Sequence, residues 1–297
     1  MKDRNAARPV WGALLTILVL TTSLLTCSAF AEEKKTLKAY SEENGYTYVY
    51  FGRYPQSIDG GNPEEGSNSW NWRKMYRDWE KAKRKELKLK IHDPLDPYDP
   101  GPLEAEPILW RVLSVDGEKI YLMSEYVLFA SPIHPSMKEY RDFGGDFGLT
   151  ALCAKLNGEF ADTAFTEEEK EALLPFGTYG KVSLPLGDDL NDAKMGFSKK
   201  KLATRKAKAT EYAIRCTGEF VYQASVGSHS PYWMREQSGT DARHGRATKQ
   251  SGSVGHLHCD AVDVGARPVI YLAADGFQIT GGSGTKEDPY RLSAGAE

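Results

Sequence analysis

The chain has 297 residues, of which 40% are hydrophobic and 27% are charged, and its 38 basic and 41 acidic residues leave a formal net charge of −3 at pH 7. This composition is typical of one large or two small globular domains, and it excludes a disordered protein and a collagen-like fibre. Four cysteines are too few for a small disulfide-stapled scaffold, and the near balance of charge gives no indication of a nucleic-acid partner.

Residues 1–31 have the pattern of a secretory signal. A basic segment precedes an uncharged apolar run from Trp11 to Leu25, and the small residues of Ala29-Phe30-Ala31 follow it. The run is about 15 residues long, shorter than the roughly 20 that a membrane-spanning helix needs. We therefore favour cleavage after Ala31 over a transmembrane helix or a lipid anchor on Cys27, and we expect a secreted or cell-surface protein with no membrane-spanning segment after cleavage.

The first elements after the signal are predicted strands. Tyr46 to Phe51 is rich in aromatic and β-branched residues, which favours a strand. Pro107 to Val115 and Glu118 to Tyr126 are two further apolar segments, separated by Asp116-Gly117. An Asp-Gly pair between two such segments predicts a β-hairpin.

Two helices follow the hairpin. Leucine, cysteine and phenylalanine residues at helical spacing predict an amphipathic helix from Leu149 to Phe160. Thr166 and Glu169 have the spacing of a capping box, which predicts the start of a second helix that runs to about Leu174.

The remainder of the chain has the pattern of short strands and turns, and strands before and after two helices predict an α+β fold. The candidate strands are Lys181–Leu184, Glu219–Ala224, Tyr232–Glu236, Gly245–Thr248, Val254–His258 and Ala266–Leu272.

Residues 60–106 break this pattern, and we interpret them as a charged insertion into a single domain that spans residues 40–275. Trp70 to Lys90 has the spacing of a basic helix with an aromatic face, and Ile91 to Glu106 is acidic and rich in proline, which favours an extended chain. The helix either binds anionic wall polymers or lipid headgroups, or it packs its aromatic face on the domain. A second basic run, Lys194 to Lys208, contains seven Lys or Arg and no acidic residue.

Five short segments resemble the motifs of a domain family of unknown function in exported proteins of Gram-positive bacteria, namely FGxYPQ, PIxWRVL, LNxxF with AFxxxE, WWLRS and GVRP. In this chain they are Phe51–Gln56, Pro107–Leu113, Leu156–Phe160 with Ala164–Glu169, Tyr232–Arg235 and Gly265–Pro268. The likeness spans Tyr48 to Leu272. Residues 276–297 are expected to form a C-terminal tail, which is similar to the GSGTxxxPY ending of many bacterial surface proteins.

The resemblance implies a C-type-lectin-like fold, which occurs both in binding domains and in the formylglycine-generating type of enzyme. The family itself has no assigned activity. This chain departs from the usual motifs at Cys153, Lys155, Tyr232 and Glu236, which leaves open whether it shares a ligand surface with the family.

Trp233, Arg235 and Arg267 are the candidate ligand-binding residues, because aromatic faces and guanidinium groups suit sugars and carboxylates. The alternative, which we favour, is that the tryptophans at 110 and 233 belong to the core and that the two arginines are internal clamps on loop carbonyls.

His256 and His258 are the candidate metal ligands, because residues two apart share one face of a strand. A third ligand would have to come from Cys216, His244 or Asp260, and two histidines that face solvent are the more common arrangement. Cys216 and Cys259 are a candidate disulfide, and fully reduced, buried cysteines are an equally good interpretation.

The acidic loop after Gly187 lacks the spacing of a calcium-binding loop, and no GxSxG, P-loop or GxGxxG motif is present. We therefore expect a secreted, non-catalytic protein without a cofactor that binds a cell-wall polymer, another glycan or a surface protein. The alternative function is a metal- or cysteine-dependent enzyme with a formylglycine-generating-like fold.

Overall fold

The computed structural model describes residues 36–57, 81–90, 103–215, 229–239 and 242–295. These residues belong to one compact unit, Lys35–Glu297. The proposed signal, most of the charged insertion, Cys216 and the candidate strand Glu219–Ala224 lie outside the described residues. None of the described helices combines the length and the apolar character needed to cross a membrane.

The described part of the chain mixes short helices with two sheets, which confirms the α+β prediction. Its strands are β1 (Tyr48–Pro55), β2 (Ala105–Asp116), β3 (Lys119–Ser124), β4 (Phe129–Ala130), β5 (Leu173–Leu174), β6 (Val182–Ser183), β7 (Tyr232–Gln237), β8 (His244–Thr248), β9 (Val254–His258), β10 (Gly265–Ala266), β11 (Val269–Ala273), β12 (Phe277–Gly281) and β13 (Tyr290–Ala294). Its helices are α1 (residues 81–87), α2 (Met137–Asp142), α3 (Ala151–Lys155), α4 (Ala161–Ala164), α5 (Glu167–Ala172) and α6 (Glu211–Arg215).

One described sheet has eight strands in the order β12-β13-β1-β2-β3-β11-β5, with β6 also paired to β11. The predicted hairpin lies at its centre, where Asp116 pairs with Lys119 across the turn at Gly117. Ile108 to Leu113 of β2 are all buried, because this strand contributes side chains to the two hydrophobic clusters of the domain. A strand that is covered on both faces has a largely apolar sequence, and here only Arg111, which forms an ion pair with Glu125, interrupts the apolar run.

The second described sheet has the order β4-β10-β7-β8-β9. It contains the predicted strands at 232–236, 245–248 and 254–258. The predicted strand from Ala266 to Leu272 is split, because Pro268 has no amide hydrogen to continue a ladder. The chain passes from the five-stranded sheet to the eight-stranded sheet at Arg267-Pro268.

The first predicted helix is interrupted by a π-helical turn. α3 is followed by this turn at Leu156–Phe160 and then by α4, so the helical run extends to Ala164. The capping box of α5 is confirmed, since Thr166 and Glu169 each bond the other's backbone amide. α5 ends at Ala172 because the next two residues pair with β11.

The residues that the sequence assigns to a C-terminal tail complete the main sheet. β12 and β13 form an antiparallel pair, and β13 pairs in parallel with β1. Tyr290 and Leu292 pack against the main hydrophobic cluster, so alternate residues of β13 are partly buried.

Candidate functional site

The motif segments bind one another inside the domain. The indole N–H of Trp110 donates to the carbonyl of Phe51 at 2.7 Å. The amide of Gly52 donates to a carboxylate oxygen of Glu169 at 3.3 Å. Three motifs that lie far apart in the sequence therefore stabilise one another, which is a structural role.

Asn157 has a similar role in the LN motif. Its amide nitrogen donates to the carbonyls of Cys153, Tyr179 and Val182 at 2.9–3.0 Å. Its amide oxygen accepts from the backbone N–H groups of Lys181 and Val182. These bonds fix the segment from Tyr179 to Val182 against the π-helical turn, and that segment supplies one wall of the site described below.

Arg111 forms a buried ion pair with Glu125, in which Nε and Nη2 both donate to the same carboxylate oxygen. The ammonium group of Lys286 lies 3.4 Å from the other oxygen. Burial raises the pKa of Glu125, but the positive charges of Arg111, Arg267 and Lys286 outweigh it, so the net pKa is lowered.

Arg267 is fully buried and lies next to this ion pair. Its Nε donates to the carbonyl of Ser124 at 2.8 Å, and its guanidinium carbon lies 5.3 Å from the ring centroid of Tyr232. Burial and the charge of Arg111 lower the pKa of Arg267. These contacts are those of an internal clamp.

Trp233 is also fully buried, and its indole N–H donates to the carbonyl of Ser131 at 2.7 Å. The expectation that Trp110 and Trp233 belong to the core is confirmed. Of the three candidate ligand-binding residues, the structure therefore places Trp233 and Arg267 inside the domain.

Arg235 differs from both of them because it is only half-buried. Its guanidinium carbon lies 5.3 Å from the ring centroid of Phe176 and 5.7 Å from that of Tyr179, within the range of cation–π contacts. Nη1 is 3.5 Å from the hydroxyl of Ser183, a long hydrogen bond. Among the described residues, no carboxylate forms an ion pair with Arg235, so its donors have room for a further acceptor.

A row of aromatic rings continues from this arginine. The ring of Phe176 stacks on that of Tyr271 with centroids 4.4 Å apart, and the ammonium group of Lys119 lies 5.2 Å from the Tyr271 ring. Tyr179 and Tyr271 are half-buried and Lys119 is exposed. We call these five residues, Arg235, Phe176, Tyr179, Tyr271 and Lys119, the Arg235 surface.

The buried Tyr121 packs against the Arg235 surface, and Asp189 is hydrogen-bonded to Tyr121. The ring of Tyr121 packs 4.7 Å from that of Tyr271, and its hydroxyl donates to Asp189 at 2.7 Å. Asp189 also accepts from the backbone N–H of Leu186. Burial, followed by the charge of Asp189, raises the pKa of Tyr121 well above its usual value. The acidic loop after Gly187 is thus bonded in part to the domain.

The sequence identified Arg235 but missed its aromatic partners. Tyr271 lies between the buried Ile270 and Leu272 of β11, and its alternation with them is the signal that indicates an outward-facing ring. Phe176 precedes the 3-10 turn that follows β5, and Tyr179 is the last residue of this turn; nothing local to the turn connects them with Arg235.

Among the described residues, no third side chain joins His256 and His258 in a metal-binding group, and the candidate third ligand Cys216 lies outside these residues. Both are exposed on β9, and the ring of His258 lies 4.3 Å from that of His244 on β8, centroid to centroid. Across the described ranges, no group of three or more His, Cys, Asp or Glu side chains could hold a metal ion.

Cys153 and Cys259 are free, buried thiols, and Cys216, the predicted partner of Cys259, lies outside the described residues. Burial raises the pKa of Cys153. Burial and the charge of Asp260 raise that of Cys259 to about 11, which keeps this thiol protonated at neutral pH. A protonated thiol is a poor nucleophile, so neither described cysteine is activated for catalysis.

Comparisons with family models, with curated proteins and with solved structures find no match to this chain. The candidate site is therefore assigned from its own geometry.

Proposed function

We propose that this chain is an exported, non-catalytic binding protein of C-type-lectin-like architecture, and that an acidic glycan binds at the Arg235 surface. The observation that carries the proposal is the half-buried Arg235 guanidinium, which is held beside two aromatic rings and has no carboxylate partner among the described residues. The signal pattern of residues 1–31 and the five-motif resemblance support the location and the architecture.

The chemistry of the surface suits a sugar that carries a carboxylate. A guanidinium group binds a carboxylate through two parallel hydrogen bonds, and this charge-assisted pair is stronger than a neutral one. The half-buried rings of Tyr179 and Tyr271 offer apolar faces to the C–H groups of a sugar ring. Lys119, at the end of the row, is an exposed cation 3.8 Å from the carboxylate of Asp116, and it provides a second positive charge for an acidic unit that displaces this surface pair.

The experiment is a titration of the purified chain with oligogalacturonate, an acidic glycan, and with a neutral manno-oligosaccharide of equal length. We expect oligogalacturonate to bind more tightly, and we expect Arg235→Gln to weaken this binding about tenfold or more, because a charge-assisted hydrogen-bond pair is lost. Lys138→Gln, which removes one charge from an exposed position on α2, is the matched control and should bind like the wild type.

Equal binding of the acidic and the neutral glycan would contradict the role of Arg235 as a carboxylate receptor. Unchanged binding of oligogalacturonate by Arg235→Gln would move the binding site elsewhere on the domain.

A further inference from the structure

The basic run Lys194–Lys208 folds as an ordered loop rather than as a helix. Two short 3-10 turns, Ala193–Met195 and Leu202–Arg205, are joined by a bend at Gly196, whose φ is 81°. The tyrosine hydroxyl of Tyr46 donates to the carbonyl of Met195 at 3.0 Å and ties the first turn to the domain.

Arg205 is the basic residue of this run that points inward, and it is 4% exposed. Its Nε donates to the carbonyl of Leu190 at 2.7 Å, and Nη2 donates to Asn191 and Ser198. Nη1 lies 3.4 Å from the carbonyl of Gly252, which brings the turn from Lys249 to Gly252 against the loop. The backbone is therefore fixed before any ligand arrives.

Four lysines of this loop point outward, whereas Lys206 and Lys208 are half-buried. Lys194, Lys199, Lys200 and Lys201 are exposed, as is Lys249 of the adjoining turn, and we call these five residues the lysine loop. Within the described ranges, none of the five forms an ion pair. Some lysines elsewhere in the domain are paired, for example Lys170 with Asp162 at 2.7 Å.

We propose that the lysine loop binds a linear polyanion that carries phosphate or sulfate groups. Like charges that lie within the Debye length, about 8–10 Å at physiological salt, repel one another, and a polyanion relieves this repulsion while it releases its own counterions. Lysine is a compact charge on a flexible stem, which suits a polymer with repeated anionic groups rather than one planar carboxylate. A fixed backbone lowers the cost of ordering the site on binding.

The test compares two variants that each remove three exposed lysines. Lys199→Gln/Lys200→Gln/Lys201→Gln alters the loop, and Lys81→Gln/Lys85→Gln/Lys88→Gln alters the basic segment of the insertion by the same charge. Binding of labelled polyphosphate, heparin, neutral dextran and single-stranded DNA is measured over a series of salt concentrations. The polyphosphate and heparin titrations distinguish a phosphate-bearing polymer from a sulfated one.

We expect polyphosphate or heparin to bind the wild type and dextran not to bind. The loop variant should bind about tenfold or more weakly, with a salt slope lower by roughly one for each lysine removed, while the insertion variant stays within about twofold of the wild type. Arg235→Gln should bind polyphosphate, which contains no sugar and no carboxylate, like the wild type, so this proposal and the proposed glycan site can fail separately.

Four results would overturn the assignment. They are no polyanion binding at low salt, equal weakening in both triple variants, weakening confined to the insertion variant, and tighter binding of DNA than of either polymer. Circular dichroism of each variant confirms that the fold is retained, which is expected because all six lysines are exposed.

Discussion

At the scale of single residues, the surroundings of the polar atoms separate side chains that are hydrogen-bonded inside the domain from the one proposed to bind a ligand. The indole nitrogens of Trp110 and Trp233 both donate to backbone carbonyls inside the domain. Arg111 and Glu125 form an ion pair with each other, whereas Arg235 contacts two aromatic rings and forms one long hydrogen bond to the hydroxyl of Ser183. Tryptophan and arginine motifs of similar appearance in the sequence thus have different roles.

The buried ion pair predicts the acid sensitivity of the fold. The pKa of Glu125 is lower in the folded chain than its usual value of about 4.5, so its ionised form stabilises the fold above that pH, and this contribution is lost as the pH falls through the lowered pKa. Glu125→Gln should reduce the free energy of unfolding at pH 7 by about 3–5 kcal/mol, because Arg111 and Arg267 then lack a buried counter-charge. Denaturant unfolding at pH 7 and at steps below pH 5 measures both effects.

The difference between wild type and Glu125→Gln should shrink as the pH falls. A difference that is constant over this pH range would mean that Glu125 has the same pKa in the folded and unfolded chains. The exposed Glu118, changed to Gln, is the control and should lower the unfolding free energy by less than about 0.5 kcal/mol.

At the scale of elements, sequence patterns within a few neighbouring residues correctly predicted the elements whose structure depends on those neighbours. The Asp116-Gly117 hairpin and the Thr166 capping box depend on neighbouring residues, and both are confirmed. The π-helical turn around Asn157 and the pairing of β13 with β1 depend on segments distant in the chain, and the sequence predicted neither. The split at Arg267-Pro268 follows from the missing amide hydrogen of proline, which is a signal local to the sequence.

Gly52 is the point where β1 packs closely against Phe165, and Gly45, which has a similar backbone conformation, is a control for testing this contact. Gly45 and Gly52 have similar positive φ angles of 71° and 68°. A Cβ on Gly45 would meet no atom within 4 Å, but a Cβ on Gly52 would lie 2.6 Å from the Phe165 ring and 2.7 Å from the carbonyl of Ala164. Gly45→Ala should cost about 1–2 kcal/mol from backbone strain alone.

Gly52→Ala should cost about 1–3 kcal/mol more, because the packing of β1 against Phe165 is also disrupted. The midpoints of thermal unfolding for the two variants measure the difference. Equal midpoints would show that β1 does not pack closely on the segment after α4.

At the scale of the whole molecule, the Arg235 surface is assembled from four separate parts of the chain. Lys119 belongs to β3, Phe176 and Tyr179 follow α5, Arg235 belongs to β7 and Tyr271 to β11. No local spacing connects these residues, so a single sequence identifies one of them and misses the rest. Four of the five residues of the lysine loop, in contrast, belong to one basic run of the sequence, and the structure adds Lys249 from a distant turn and shows that Arg205 of the run is buried.

β7 carries two different roles in this proposal: Trp233 holds the domain together, and Arg235, two residues along the strand, is proposed to bind a ligand. The most direct measurement is the free energy of unfolding of Trp233→Phe and Arg235→Gln in denaturant at pH 7. We predict a loss of about 2–4 kcal/mol for Trp233→Phe, since the Ser131 carbonyl loses its donor and a cavity opens. Arg235→Gln should lose less than about 1 kcal/mol. A loss for Arg235→Gln as large as that for Trp233→Phe would make Arg235 an internal clamp and would contradict the account.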